Sequence, residues 1–244
     1  MSTVFDMSVS DMTFHISALF PSTKHYCRDY LIDQVGQHNI SLTQEDINFE
    51  RIKFCEEYSE SDPNCNNASD AYLETIALLR KFADYITLHN RFLMHGSSIE
   101  VHGKGYIFTA LSGTGKSTHT GLLRKLLGDK VSMINDDKPF VHIENGKVDI
   151  CGTPWMGKHH LGNNVIRPLA GIFFLRRSEE NVIRKMTADE ALPLLLSQIH
   201  RPVSNEHMLQ TLEMMDLLLN SVPLYDLGCN MDISAAETSY SVMN

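Results

Sequence analysis

YIFTALSGTGKSTHTGLLRKLLGDKVSMINDD, residues 106–137, decides the fold. Tyr106 to Leu111 is a short, nearly continuous apolar run with β-formers, the pattern of a strand covered on both faces. Gly113 and Gly115 let the backbone turn tightly enough for its N–H groups to point into one concavity, where phosphate oxygens can sit. Lys116 adds a positive point charge for the β- and γ-phosphates, and Ser117 offers a hydroxyl to Mg²⁺. The helix that follows aims its N-terminus at the same place. Ser112, Thr114 and Thr118 complete the cradle expected to hold ATP. The full Walker A pattern, G-x-x-x-x-G-K-[ST], is missed at one position, where Ala110 stands for the first glycine. The plain alternative, a flexible turn, is disfavoured by the flanking strand and helix.

Leu122, Leu123, Leu126 and Leu127 fall on one face at helical spacing, and Gly128 stands where a C-terminal αL residue is wanted. Val131, Met133 and Ile134 make a second strand-like run, expected beside the first because a single helix separates them. Asp136 and Asp137 then emerge at its C-terminal end, where open α/β sheets bind ligands. Two neighbouring carboxylates beside a Mg-nucleotide can divide the labour. One holds metal, directly or through water, and the other accepts a hydroxyl proton. An ordinary acidic turn before Pro139 is the competing reading.

Residues 91–120, RFLMHGSSIEVHGKGYIFTALSGTGKSTHT, resemble the nucleotide-binding core shared by HPr kinase/phosphorylase and phosphoenolpyruvate carboxykinase. In that group a His followed by small residues precedes a strand and an S-G-x-G-K-[ST] loop, and an acidic pair follows. The resemblance covers roughly residues 91–140. It implies functional roles for His95, Gly113, Gly115, Lys116, Ser117, Asp136 and Asp137, with Asp137 as base and Asp136 nearer the metal. It also implies an α/β P-loop core of this type: a central mixed sheet flanked by helices. A carboxykinase is much longer and brings a separate organic-acid-binding domain, so decarboxylase chemistry is not expected. Nothing between Cys151 and Gly171 matches the glycine-rich signature of the HPr kinases, so another acceptor than HPr is expected.

The 244 residues are 43% hydrophobic, enough for a full core with a small appendage. A net charge of -9 argues against nonspecific binding to nucleic acid or an anionic membrane. No apolar run approaches a membrane span, and MSTVFDMSVSDMTF lacks the basic start and apolar middle of a secretion signal, so a cytoplasmic location is expected. Cys27, Cys55, Cys65, Cys151 and Cys229 contain no C-x-x-C pair, and free thiols are expected. Twelve histidines show no compact metal-ligand spacing.

Residues 1–68 read as an N-terminal β-rich subregion without a legible site, and 69–244 as the P-loop kinase-like domain. MTFHISALF, 12–20, is a strand by its alternation; NISLTQEDINFERIKF, 39–54, suggests one or two strands joined by an acidic turn. Asp62-Pro63-Asn64 with Asn66-Asn67 is turn chemistry. Ser69 caps a helix whose stripe, Leu73, Ile76, Leu79, Ala83 and Ile86, ends near Arg91. A strand near Ser98–Val101 and a turn at Gly103-Lys104-Gly105 then bring His95 toward the loop. Asn145-Gly146 signals a hairpin between 140–143 and 147–150. It leads to CGTPWMGKHHLGNN, where Lys158, His159 and His160 suit phosphate or an acceptor, and Trp155 either stacks on a ligand or anchors the loop. Pro168–Leu175 is a buried strand, with Val182–Met186 expected antiparallel to it. Helices from Thr187 and over 206–220 follow, then a last strand and helix. Arg201 leads Arg167, Arg176 and Arg177 as a charge-stabilising arginine.

These features together point to an ATP- and Mg²⁺-dependent phosphotransferase of the HPr-kinase-like type, acting on a hydroxyl of a protein, peptide or small molecule. Lys116 and His95 would join the acidic pair at the reaction centre. A non-catalytic ATP-sensing module, which has no use for a base, and an NTP hydrolase driving a partner are the alternatives. Reverse phosphorylase activity is disfavoured by the missing signature. Related kinases assemble as oligomers, so the resemblance leaves a homo-oligomer open.

Overall fold

The computed structural model describes residues 2–58 and 67–243, which form two compact units meeting between Tyr85 and Ile86. The turn residues 62–66 and Cys65 lie outside the described residues.

In the first unit, β1 (Thr3–Val9) and β2 (Met12–Ala18) form an antiparallel hairpin, and β3 (His38–Ser41) lies parallel to β2. Ser10 and Asp11 at the turn both take positive φ, the I′ geometry that suits the strand twist. Among its described residues the α-helices are α1 (Pro21–Tyr26), α2 (Gln44–Tyr58) and α3 (Asp70–Ile86). Two expectations are corrected here. The latter part of 39–54 is helix α2, not strand, and α3 ends at Ile86 because the chain passes through a short 3-10 turn to Asn90, which is left-handed. The Ser69 hydroxyl accepts from the Tyr72 N–H and so caps α3. The division after Tyr85 places α3 with this unit, where the sequence reading had set it with the second.

The second unit is built on a mixed sheet, with nine strands among the described residues. They are β4 (Arg91–Leu93), β5 (Ser97–Val101), β6 (Lys104–Thr109), β7 (Val131–Asn135), β8 (Phe140–Glu144), β9 (Lys147–Cys151), β10 (Ile166–Arg177), β11 (Val182–Lys185) and β12 (Leu224–Cys229). The main path runs β4-β8-β9-β10-β6-β5-β7, with β12 also on β10 and β11 on β12. Long β10 curls the sheet: its first residues pair with β9, and its later ones lie between β6 and β12. The helices are α4 (Lys116–Leu127), α5 (Ala188–Leu196), α6 (Asn205–Ser221) and α7 (Ile233–Tyr240). No helix among the described residues is long and apolar enough to cross a membrane.

Strand alternation sends side chains to two cores. Ile107, Ile134, Ile172, Phe174 and Leu224 join Leu195, Met215 and Leu218 of α5 and α6. Their neighbours Phe108, Met133, Phe173, Leu175 and Tyr225 join Leu123 of α4 and Ala236 of α7. Phe108, Phe173 and Tyr225 stack across three adjacent strands at 4.8 and 4.9 Å. Helices thus cover both faces, which is why these strands read as continuous apolar runs.

Four further expectations change. β6 and β7 are not adjacent, because β5 lies between them, antiparallel to both. β11 pairs with β12 instead of β10. The turn before β6 is His102-Gly103, with Lys104 already in the strand. Gly128 closes α4 at φ 57° and ψ -126°, outside the αL region and open to glycine. The hairpin at Asn145-Gly146 forms as read, with both residues at positive φ.

His119 links α4 to α7. Its Nε2 lies 2.9 Å from Ser239 Oγ, its ring 4.8 Å from Phe108, and burial pushes its pKa down to about 4. In the unfolded chain it titrates near ~6.5, so between the two values the unfolded state binds a proton that the folded state refuses. Its contribution is therefore complete above about pH 6.5 and is lost as pH falls toward 4, roughly 3 kcal/mol in all. Urea melts of His119→Phe are expected to show a flatter loss of stability over that interval than the parent protein.

Candidate functional site

The sheet order brings the motif residues to one end. β6 and β7 point the same way across antiparallel β5, and β10 and β12 are parallel to β6. The C-terminal ends of these four strands and the start of β5 share that edge. It carries the loop after β6, the acidic pair after β7 and His95 just before β5.

Gly113 and Gly115 take φ of 75° and 122°, the left-handed side that favours glycine, and nothing crowds a Cβ at either. Conformation, not space, requires them. Ala110 is not among the described residues with positive φ, so the missing first glycine meets no backbone demand there. Gly115 caps α4 without a side-chain hydrogen bond, leaving the first N–H groups of the helix facing the loop. Lys116 is buried beneath it, with Nζ donating to the Ala110 carbonyl at 2.9 Å. Burial pulls the Lys116 pKa down, against the nearby Asp137 charge, which pushes it up. Ser112, Ser117 and Thr118 are exposed, and Thr114 is half-buried.

Asp137 and His95 meet, with Nε2 to Oδ1 at 3.2 Å, and Lys138 Nζ lies 3.5 Å from the same oxygen. The backbone joins them too, since the Gly96 N–H donates to the Asp137 carbonyl at 3.0 Å. Burial alone would raise the Asp137 pKa. The hydrogen bond from His95 and the Lys138 charge outweigh it and hold the carboxyl below its ordinary value. Asp136 behaves oppositely: burial raises it, although backbone N–H groups of Gly157 and Leu161 bind it, Gly157 at 2.6 Å. Asp136 thus ties the acidic turn to the glycine-rich loop.

Asn135, which the sequence reading passed over, holds this geometry. Its Oδ1 accepts from the N–H groups of Asp137 and Lys138 at 2.8 and 2.6 Å. Its Nδ2 reaches the carbonyls of Thr153 and Trp155 and the Thr153 hydroxyl. An Asn before two aspartates was the available signal, because it can close an Asx turn. Asn135→Ala would leave several buried partners unpaired, at ~1–3 kcal/mol for each that water cannot reach. A loss of about 2–4 kcal/mol in denaturant melts is the expected result.

Trp155 is 4% exposed, its ring 6.1 Å from Phe140, which makes it an anchor of the loop and not a stacking platform. Lys158, His159 and His160 are exposed on that loop. Gly152 is obligatory there, since a Cβ would meet the Asn163 carbonyl at 1.8 Å. Of the arginines, Arg177 reaches the glycine loop, donating to the Gly113 carbonyl at 2.7 Å. Arg167 pairs with Glu100 and Arg176 with Asp226. Arg201, favoured from sequence, donates at 3.5 Å to the carbonyl of Leu196, the last residue of α5, two positions before Gln198, whose carbonyl accepts from the His95 N–H.

No protein-family model matches the chain, and no curated protein matches its sequence. Solved structures do. One is the Hpr(Ser) kinase/phosphatase from Coxiella burnetii, at 10% sequence identity and a TM-score of 0.35, over 62% of this chain and 97% of that one. The likeness is weak and lies at the level of fold.

Among the described residues no group of three or more His, Cys, Asp or Glu side chains is placed to hold a metal ion. A nucleotide-bound Mg²⁺ needs less from protein, because it keeps several waters and takes one or two carboxylates besides the phosphates. An exposed hydroxyl at Ser117 and the carboxylates of 136 and 137 are a donor set of that kind. Among the described residues Cys27 and Cys229 are free thiols, and burial pushes Cys27 up to about 12.

Proposed function

We propose that this chain is an ATP- and Mg²⁺-dependent phosphotransferase of the HPr-kinase-like type, moving the γ-phosphoryl group to a hydroxyl of a protein, peptide or small molecule. One observation carries the reading: a buried lysine under a glycine loop and an ionised Asp137 held by His95 share one edge of the sheet. In this scheme the loop N–H groups, Lys116 and the first turn of α4 bind the phosphates. Ser117 and Asp136 would hold Mg²⁺. The ion would neutralise charge on the β- and γ-oxygens. Asp137 takes the acceptor proton, and His95 keeps it oriented and anionic. A pure ATP sensor has no use for such a base.

The test is transfer of labelled γ-phosphate from Mg-ATP into host extract split into proteins, peptides and small metabolites. Label in an acceptor, dependent on the enzyme, is the expected result and identifies the acceptor class. Tight ATP binding without transfer to any fraction would instead make the protein a sensor; release of free phosphate alone would make it a hydrolase.

A further inference from the structure

A cavity of about 500 Å³ opens on the other flank of the phosphate loop from the acidic pair. Gly113 and Thr118 form one wall, and Arg177 at the end of β10 with Cys229, Asn230 and Met231 from the end of β12 form the other. Small-molecule sites span roughly 300–1,000 Å³, so the space suits an organic group. The sulfur side chains give it an apolar surface, and Met231 is 78% exposed to solvent there.

His119 also lines the cavity and is 2% exposed. Ser239 Oγ lies 2.9 Å from His119 Nε2 and 3.1 Å from the Ala236 carbonyl. With the Ser239 proton on that carbonyl, Nε2 carries the ring proton and Nδ1 is an acceptor with no partner among the described residues. A buried acceptor left unpaired costs ~1–3 kcal/mol, which a donor on a ligand would offset. An ionised phosphate has no proton to give. A ribose hydroxyl or the exocyclic amine of a base has one.

We infer that this cavity takes the nucleoside half of the nucleotide, with a ribose hydroxyl or base amine donating to His119 Nδ1. The phosphate chain then crosses the loop from the β12 flank to Lys116 and Asp137. The inference rests on the nucleotide reading above and adds its direction and the residues that recognise the nucleoside.

Calorimetric titration separates the two. Mg-ATP, Mg-tripolyphosphate and three analogues, 2′-deoxy-ATP, 3′-deoxy-ATP and ITP (the base amine replaced), are titrated into the wild-type protein and His119→Phe. ATP is expected to bind about tenfold or more tighter than tripolyphosphate, and one analogue to lose up to about tenfold in the wild type and nothing further in the variant. Equal binding of ATP and tripolyphosphate, or of ATP and all three analogues, would overturn the nucleoside site while leaving the phosphate cradle standing. A loss that persists undiminished in His119→Phe would remove His119 from it. Failure of ATP and tripolyphosphate alike to bind would bring down both readings. Should His119→Phe not fold, the wild-type series alone decides.

Discussion

Asp137→Asn is expected to leave Mg-ATP binding within a few-fold and to cut phosphoryl transfer by about 10²–10⁴-fold, the range of a positioned acid–base group. Asn keeps the shape but cannot hold a proton from the acceptor. Two adjacent carboxylates with pKa values pushed in opposite directions take different roles. Burial lifts Asp136; at Asp137 the same effect is overcome by His95 and Lys138. Asp137 thus stays ionised down to below its ordinary value of about 3.9, and its acid limb in a pH–rate profile lies below that pH. The sign gives a second readout. His95→Ala removes the hydrogen bond and charge that lower the pKa, so the acid limb of transfer should move up. Unchanged transfer in Asp137→Asn would take the base role away from it.

The strand, loop and helix around Lys116 were legible because each is encoded locally, by an apolar run, two glycines and a leucine stripe. The Asn145-Gly146 hairpin was legible for the same reason. Strand order was not. Ser97–Val101 reads as a strand, yet nothing local tells it to insert between β6 and β7, since that pairing joins residues some 30 positions apart. Helix α2 was hidden because Ile47, Phe49, Ile52 and Phe54 do not form one stripe, and the structure leaves Phe49 and Ile52 exposed at 40% and 61%. At the site, the Asp136-Asp137 pair is visible in the sequence itself, but the contacts by which Asn135 holds its turn are not: the partners Thr153 and Trp155 arrive 18 and 20 residues later. Arg177 likewise meets Gly113 across 64 residues, a contact no motif records.

Lys116→Met is expected to lower transfer by about 10²–10³-fold, the effect of removing one preorganised charge from a phosphoryl-transfer site. Its stability should separate this from structural damage. The ammonium is buried with one carbonyl partner, and burial pulls its pKa below that of a free lysine. By linkage, a base with a lowered folded pKa opposes folding in its charged form, so the ligand-free protein carries Lys116 at a cost. Met keeps most of the volume and forfeits one hydrogen bond, worth ~1 kcal/mol. Melting of the ligand-free variant should therefore match or exceed the wild type within about that amount, while the rise in Tm on adding Mg-ATP shrinks or disappears. A variant that melts much earlier would mark Lys116 as structural. One that keeps both transfer and the nucleotide-induced shift would show that the phosphates bind elsewhere. The expected pattern, stability kept and ligand response lost, belongs to a charge placed for a partner the folded chain does not itself supply.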